Sequence, residues 1–183
     1  MPLNTMQNHK LITYTNITIA LAVIIFLLQN MFPIITSYLG LNINFLRVNF
    51  WWQPLSVMFT HGGFEHILMN MFMLYIFGNL IESSNGKITF FFVYFIGGII
   101  SSLLTFTFMY IFDINLFTGV VGASGAISGI LGYIAFTDKY QRKGMVIWIC
   151  LISFVPLILG LPVAWYGHLL GFVVGWIIGM IKR

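Results

Sequence analysis

Long apolar runs separated by short polar connections are the feature that most constrains how this chain folds. Six such runs stand out, over about residues 14–35, 64–81, 88–112, 124–137, 145–159 and 163–181. A helix that crosses a lipid bilayer needs about 20 apolar residues, so six crossings with short connections use nearly all of the 183 residues. The runs therefore predict an all-α integral membrane protein, built as a bundle of six transmembrane helices.

Composition points to the same class of protein. Hydrophobic residues make up 60% of the chain and charged residues only 7%, whereas about 25% of the residues of a soluble domain are charged. We expect residues 1–183 to form a single membrane domain, with a short cytoplasmic tail over about residues 1–13 and no separate soluble domain. The first apolar run is predicted to be a span and not a cleaved signal, because no small-residue cleavage site follows it.

The basic residues predict how the bundle is oriented. With the N-terminus in the cytoplasm, the positive-inside rule is obeyed by seven of the eight basic residues, Lys10, Lys87, Lys139, Arg142, Lys143, Lys182 and Arg183. Only Arg47 falls outside, in a long aromatic-rich connection over residues 36–53 that suits the outer interface. Both termini are therefore predicted to be cytoplasmic. The net charge of +4 does not indicate a nucleic-acid partner, because the one basic cluster is such a cytoplasmic loop.

The fourth span is too short to cross the bilayer on its own. From Ser124 to Asp138 it has about 14 residues, or about 21 Å at 1.5 Å per residue, against a hydrocarbon core about 30 Å thick. Its outer end should therefore begin below the membrane surface, and residues 116–123 must dip in to reach it. Non-helical backbone at that depth is tolerated only inside protein or beside a water-filled cavity. The short, submerged fourth helix thus predicts a cavity at Ser124.

Polar residues inside the spans cluster on the outer side of the predicted bundle. His66 and Asn70 are four residues apart, so they share one face of the second span. Ser124 opens the fourth span, where free backbone N–H groups favour developing negative charge. His168 lies about one turn into the sixth span. Its imidazole is the best candidate to remove the Ser124 proton, since the unperturbed pKa of histidine is about 6.5.

Small residues would let the fourth and sixth spans meet. Stripes of this kind allow close approach of two helix backbones in membranes, and a hydrogen bond of about 2.6–3.2 Å between Ser124 and His168 needs such an approach. The sixth span carries them at four-residue spacing and the fourth span has two to match: Gly167, Gly171, Gly175 and Gly179, with Gly125 and Gly129.

Each of these features also has an ordinary explanation. Glycine stripes usually serve packing alone, a helical serine usually bonds its own backbone, and intramembrane histidine and asparagine also line ion or proton paths. A small channel or proton carrier therefore stays open, and it predicts ion flux without covalent chemistry at Ser124. No metal or cofactor is expected, because the HExxH motif is absent and His66 with Asn70 is a poor zinc pair.

Three motifs together resemble the rhomboid intramembrane serine proteases. The segment from His66 to Asn70 resembles the rhomboid HxxxN motif of the second span. Gly122-Ala-Ser124-Gly is similar to the GxSG motif that opens the fourth span, and His168 with Gly171 resembles the histidine and trailing glycine of the sixth span. Their order and spans match the compact six-span bacterial type over nearly the whole chain.

The resemblance implies a role for each of these residues. Ser124 would be the nucleophile and His168 the general base, as a dyad without an acidic third member. His66, Asn70 and the Ser124 amide would bind the oxyanion. His61 matches a histidine that commonly precedes HxxxN and would line the cavity, while Trp52-Gln53 stands where many relatives have Trp-Arg.

The resemblance also implies partners and a location. The substrates would be transmembrane proteins, cut in or near their spans within the lipid bilayer, and the membrane would be the bacterial inner membrane. A second hypothesis within the same family is that the chain is a catalytically inactive rhomboid-like protein that binds membrane clients. Such relatives typically lack the serine or the histidine, whereas this chain keeps both Ser124 and His168.

Overall fold

The computed structural model describes residues 13–182. The predicted tail lies almost wholly outside this range, as do Lys10 and Arg183, which were used above for the orientation. The described residues form helices and connections, with one isolated antiparallel bridge between Leu41 and Val120.

Within residues 13–182, six long helices make up the bundle. They are α1 (Tyr14–Met31), α5 (Phe64–Asn85), α6 (Lys87–Phe112), α7 (Ser124–Thr137), α8 (Arg142–Ile158) and α9 (Trp165–Ile181). Three short helices, α2 (Ile34–Leu39), α3 (Asn44–Arg47) and α4 (Gln53–Ser56), lie in the connection between α1 and α5. By length and composition α1, α5 and α6 are sufficient to cross a membrane, and α7 and α9 are shorter apolar helices. The predicted all-α bundle of six helices is confirmed.

The end of the first span is the main correction to the predicted boundaries. The apolar run suggested a helix to residue 35, but α1 ends at Met31 and a new helix begins at Ile34. Phe32 has φ −135° and ψ 86°, outside the helical region, because the residue before a proline is driven away from helical geometry. Pro33 thus ends α1 and turns the chain into the connection.

The helix α7 lies at the centre of the bundle and α1 at its edge. Ten of the 14 residues of α7 are buried, against four of the 18 residues of α1. Three of the four buried residues of α1 are the polar Thr15, Thr18 and Gln29, whereas its exposed residues are mostly apolar. This distribution is typical of a helix whose outer face contacts lipid, because polar groups in a membrane are favoured only where they face protein.

Residues with left-handed backbone conformations and a hydrogen-bonded turn mark the ends of the other helices. Gly86, with φ 89°, separates α5 from α6, and Asp113 ends α6 with φ 52°. Asp138 ends α7, and its carboxylate accepts hydrogen bonds from the backbone N–H groups of Tyr140 and Gln141. These bonds, with one from the Gln141 side chain as the largest contribution, lower the pKa of Asp138. The short length of α7 is therefore fixed by a tight turn into α8.

Glu82, near the end of α5, ties that helix to the start of α1. Its carboxylate accepts from the Tyr14 and Thr15 backbone N–H groups and from the Thr15 hydroxyl, each at 2.9 Å. Glu82→Ala leaves these three donors without an acceptor, and each lost partner of a buried group costs about 1–3 kcal/mol. We expect a lower midpoint of thermal unfolding in a fixed detergent. Glu65→Ala, at an exposed position, is the control, and an equal effect of both changes would contradict the expectation.

Candidate active site

Ser124 is presented by a sharp turn at the start of α7. Gly122 has φ 126°, a left-handed conformation that side chains rarely adopt, and its N–H donates to the Val57 carbonyl at 3.1 Å. The bridge between Leu41 and Val120 holds the same segment from the other side. The chain therefore enters α7 along a fixed path, with the first backbone N–H groups of the helix free of helical partners.

Ser124 and His168 are in direct contact. The His168 Nε2 atom lies 2.8 Å from the Ser124 Oγ atom, a short hydrogen bond between α9 and α7. The His168 side chain is 6% exposed, whereas Ser124 is partly exposed. The residue pair predicted from the motifs is thus brought together, with the hydroxyl on the accessible side.

Glycines make this contact possible. A Cβ atom added to Gly171 would fall on the Gly125 carbonyl oxygen, and one added to Gly175 would fall on the Gly129 carbonyl oxygen. A Cβ atom added to Gly179 would instead lie nearest to the Phe136 side chain. Of the predicted stripe on α9, the two central glycines therefore touch the α7 backbone.

The second ring nitrogen of His168 faces α8. The Ser153 Oγ atom lies 3.4 Å from His168 Nδ1, and Ser153 is fully buried. The acidic residues lie elsewhere: Glu82 bonds α1, Asp138 bonds the turn into α8, and Asp113 and Glu65 are exposed. Among the described residues, His168 therefore has a hydroxyl and the Ile152 backbone as neighbours on this side, and no carboxylate.

His66 lies directly beside the turn that precedes Ser124. A Cβ atom at Gly122 would meet the His66 Nε2 and Cε1 atoms at 2.8 Å each, and the Ser124 Oγ atom at 3.7 Å. The Gly62 N–H donates to His66 Nδ1 at 3.3 Å. A nitrogen that accepts a hydrogen bond carries a lone pair, so the proton of a neutral imidazole is on Nε2, the atom beside Gly122.

Asn70 and His61 both adjoin His66. The Asn70 side-chain N–H donates to the His66 carbonyl at 2.8 Å, and its oxygen Oδ1 is buried without a partner among the described residues. The His61 ring packs edge-on against His66 with the ring centroids 5.3 Å apart. His61 lies in the connection before α5, and burial, with a smaller contribution from the charge of His66, lowers its pKa. His61 is therefore neutral at pH 7.

A small cavity of about 40 Å³ adjoins Ser124 on the side of α6. Its lining includes the hydroxyls of Ser101, Ser102 and Thr105, and the Ser101 hydroxyl has no hydrogen-bond partner among the described residues. A cavity of this volume is large enough for a water molecule, which these hydroxyls can bond. Sequence reasoning missed these residues, because single hydroxyls in apolar helices usually bond their own backbone and carry no distinguishing pattern.

Comparisons with known proteins show which family the chain belongs to. The Rhomboid domain family matches residues 48–183 of the chain. RHOMBOID-like protein 4 of Arabidopsis thaliana is 35% identical over 138 residues, which cover 71% of this chain and 34% of that protein. The Putative rhomboid protease YdcA of Bacillus subtilis (strain 168) is 31% identical over 93 residues, or 51% of this chain and 44% of that protein.

A further relative in the same bacterium is also named as a protease. Rhomboid protease GluP of Bacillus subtilis (strain 168) is 31% identical over 93 residues, which cover 51% of this chain and 17% of that protein. The chain thus spans less than half the length of each of these three relatives. The family match nevertheless extends over most of the chain. The chain therefore belongs to the rhomboid family and is an all-α integral membrane protein.

Proposed function

We propose that this chain is an intramembrane serine endopeptidase, with Ser124 as nucleophile and His168 as general base. The observation that supports this most strongly is the distance of 2.8 Å between His168 Nε2 and Ser124 Oγ. A serine hydroxyl is a weak nucleophile until a base removes its proton, and this distance is within the range for direct proton transfer. The function fits the family, whose bacterial members above are named as proteases.

The first half of the reaction forms an acyl-enzyme. The Ser124 Oγ atom attacks the carbonyl carbon of the scissile peptide while its proton passes to His168 Nε2. The carbonyl oxygen becomes an oxyanion in the tetrahedral intermediate. When the C–N bond breaks, the same proton is delivered to the leaving amine, and an ester between Ser124 and the substrate remains. Ser153, beside His168 Nδ1, supports the ring orientation that this step requires.

Three donors would stabilise the oxyanion. The Ser124 backbone N–H is free at the start of α7, and the helix end favours negative charge. His66 presents the Nε2 edge of its ring beside Gly122, and the Asn70 amide follows one turn later on the same face of α5. Donors held in place before the reaction stabilise the charge without reorganisation, so all three fit oxyanion binding, with His61 packed behind His66.

The second half of the reaction needs a water molecule at a site surrounded by apolar helices. The cavity beside Ser124 is lined with hydroxyls that can hold one. That water attacks the ester carbon and gives a proton to His168 Nε2, and the proton then returns to Ser124 as the product acid leaves. Hydrolysis therefore requires no cofactor in this proposal.

The setting of the site suggests the substrate class and the location. The outward faces of the helices are apolar and α7 is short, so Ser124 would lie below the membrane surface, where it meets the spans of other membrane proteins. We propose transmembrane proteins as substrates, a single membrane domain over residues 1–183, and cytoplasmic termini. The basic residues Lys139, Arg142 and Lys143 would then face the cytoplasm, and the membrane would be the bacterial inner membrane.

A fluorophosphonate probe tests this proposal directly. The Ser124 Oγ atom attacks phosphorus, the P–F bond breaks, fluoride leaves and the serine proton passes to His168. Peptide mapping of the purified full chain should find the label on Ser124 and none on Ser128, which is fully buried one turn later. Absence of label on Ser124 in an enzyme that is folded by circular dichroism would contradict the proposed nucleophile.

A further inference from the structure

Gln29 is a buried polar residue on α1, the helix at the edge of the bundle. It lies in the last turn of that helix and is 6% exposed, while its neighbour Asn30 is exposed. The two amides also differ in what they bind, because within residues 13–182 the Asn30 side chain donates to the Phe26 carbonyl of its own helix. A buried amide in a membrane helix needs partners on another element, since an unpaired polar group there is costly.

Those partners lie on the segment that precedes α5. The Gln29 oxygen Oε1 accepts from the His61 backbone N–H at 3.0 Å, and its nitrogen Nε2 donates to the His61 carbonyl at 3.3 Å. The same nitrogen donates to the Thr36 hydroxyl at 2.9 Å, and this bond from α2 fixes the orientation of the Gln29 amide. One side chain thus holds both backbone polar groups of His61, although the two residues are 32 positions apart.

The next peptide group carries this constraint to His66. The His61 carbonyl and the Gly62 N–H belong to the same planar peptide, so fixing the carbonyl fixes the direction of that N–H. It donates to His66 Nδ1 at 3.3 Å. The hydrogen bond selects the ring form in which Nε2 carries the proton, and Nε2 is the atom beside Gly122 and Ser124.

We propose that Gln29 is a positioning residue that sets the tautomer of His66 and so makes it an oxyanion donor. The inference rests on the proposed function, in which His66 stabilises the oxyanion. In the opposite tautomer His66 would present a lone pair to the developing negative charge and would repel it. Gln29 touches neither substrate nor reacting atoms, and it acts only through the peptide between His61 and Gly62.

The first test compares two amides in the same turn of α1. Gln29→Met keeps the length of the side chain but removes its hydrogen bonds, and Asn30→Leu is the matched control. For cleavage of a single-span reporter protein by the full chain in one detergent, we expect Gln29→Met to lower kcat about tenfold with KM unchanged. This is below the roughly 10²–10³-fold cost of removing a whole oxyanion donor. Asn30→Leu should leave both constants unchanged.

The second test reads the tautomer without any activity. In protein with ¹⁵N-labelled histidine rings, the shifts of Nδ1 and Nε2 show which nitrogen carries the proton, and the His66→Ala spectrum assigns the His66 signals. His66 should be protonated on Nε2 in the unmodified chain and should become a mixture of tautomers in Gln29→Met. A merely structural loss would lower the melting temperature without changing this ratio.

A pair of changes at Gly62 repeats the test without altering α1. Gly62→Pro removes the N–H that bonds His66, whereas Gly62→Ala keeps it, and an added Cβ meets only ordinary contacts at 3.6 and 3.7 Å. The proline variant should show the lower kcat and the mixed tautomer relative to alanine. If Gln29→Met fails to fold, this pair of variants tests whether the Gly62 N–H sets the tautomer of His66.

The outcomes separate this inference from the proposed function. Unchanged kcat and unchanged His66 tautomer in Gln29→Met, or in Gly62→Pro against Gly62→Ala, overturn the role of Gln29 while the dyad stands. Failure of the unmodified chain to label at Ser124 overturns the proposed function, and a tautomer that shifts in Gln29→Met then still supports the positioning of His66 by Gln29.

Discussion

Replacing Ser124 or His168 with alanine is expected to abolish cleavage while the protein still inserts and folds. The two side chains form one proton-transfer unit across 2.8 Å, so removing either member removes the activated nucleophile. In an enzyme whose nucleophile and base act as a unit, removing either one costs on the order of 10⁶-fold in kcat. We expect a loss of that order for each single variant, measured with a single-span reporter substrate in reconstituted enzyme.

The double variant distinguishes a dyad from two independent contributions. Independent contributions would multiply, whereas members of one unit leave nothing further to lose. Ser124→Ala combined with His168→Ala should therefore be hardly slower than either single variant. Ser83→Ala, which removes an exposed hydroxyl near the end of α5, is the control for loss of a hydroxyl. Normal turnover by Ser124→Ala would rule out the proposed mechanism.

The positions of the long helices were predictable because lipid imposes a length on each span. The predicted fourth span, 124–137, has the bounds of α7, since a glycine-rich turn precedes it and Asp138 follows it. The first span was predicted too long, because an apolar run does not show that the backbone breaks. The Phe32-Pro33 pair indicates the end of the helix, because the residue before a proline is sterically restricted from helical geometry.

The members of the candidate site were also predictable, but the residues that hold them were not. His66, Ser124 and His168 stand in motifs with fixed spacing. The buried amides of Gln29 and Gln53 stand in no pattern, because their partners are backbone groups that are distant in sequence. A single sequence does not show which side chains bond distant peptide groups, however much those hydrogen bonds contribute to stability.

Gln53 shows the same limit at a position that the sequence did single out. The family resemblance drew attention to Trp52-Gln53, and the Gln53 amide is fully buried. Its oxygen accepts from the Asn42 N–H at 3.1 Å, and its nitrogen donates to the carbonyls of Ser37 and Tyr38 at 3.3 and 3.4 Å. A neutral amide thus ties together the connection between α1 and α5, a role that only the folded backbone reveals.

The close contact between α7 and α9 is the second feature with a large expected effect. A Cβ atom at Gly171 would fall on the Gly125 carbonyl oxygen and lie 3.0 Å from its carbonyl carbon. Gly125 directly follows Ser124, and Gly171 is one turn from His168 on the same face of α9. Neither backbone can yield without moving a whole helix, so any side chain here separates the two reacting residues.

Gly171→Val is therefore expected to lower kcat and the rate of probe labelling at Ser124. A misalignment of about 1 Å costs on the order of 10²-fold when reacting groups must be aligned, and valine adds a branched side chain where a Cβ alone does not fit. Membrane insertion should survive, because valine is acceptable in a membrane helix. Insertion, labelling rate and kcat should be measured on the same preparations.

Gly179→Val is the matched control on the same helix. The atoms nearest to an added Cβ there belong to the Phe136 side chain, at 3.0–3.3 Å, and an aromatic ring can move where a helix backbone cannot. Gly179 also lies about two turns from Gly171, away from the dyad. Its replacement should therefore cost much less than that of Gly171. If Gly171→Val instead labels and cleaves as the unmodified chain does, helix contact at Gly171 is not what brings His168 to Ser124.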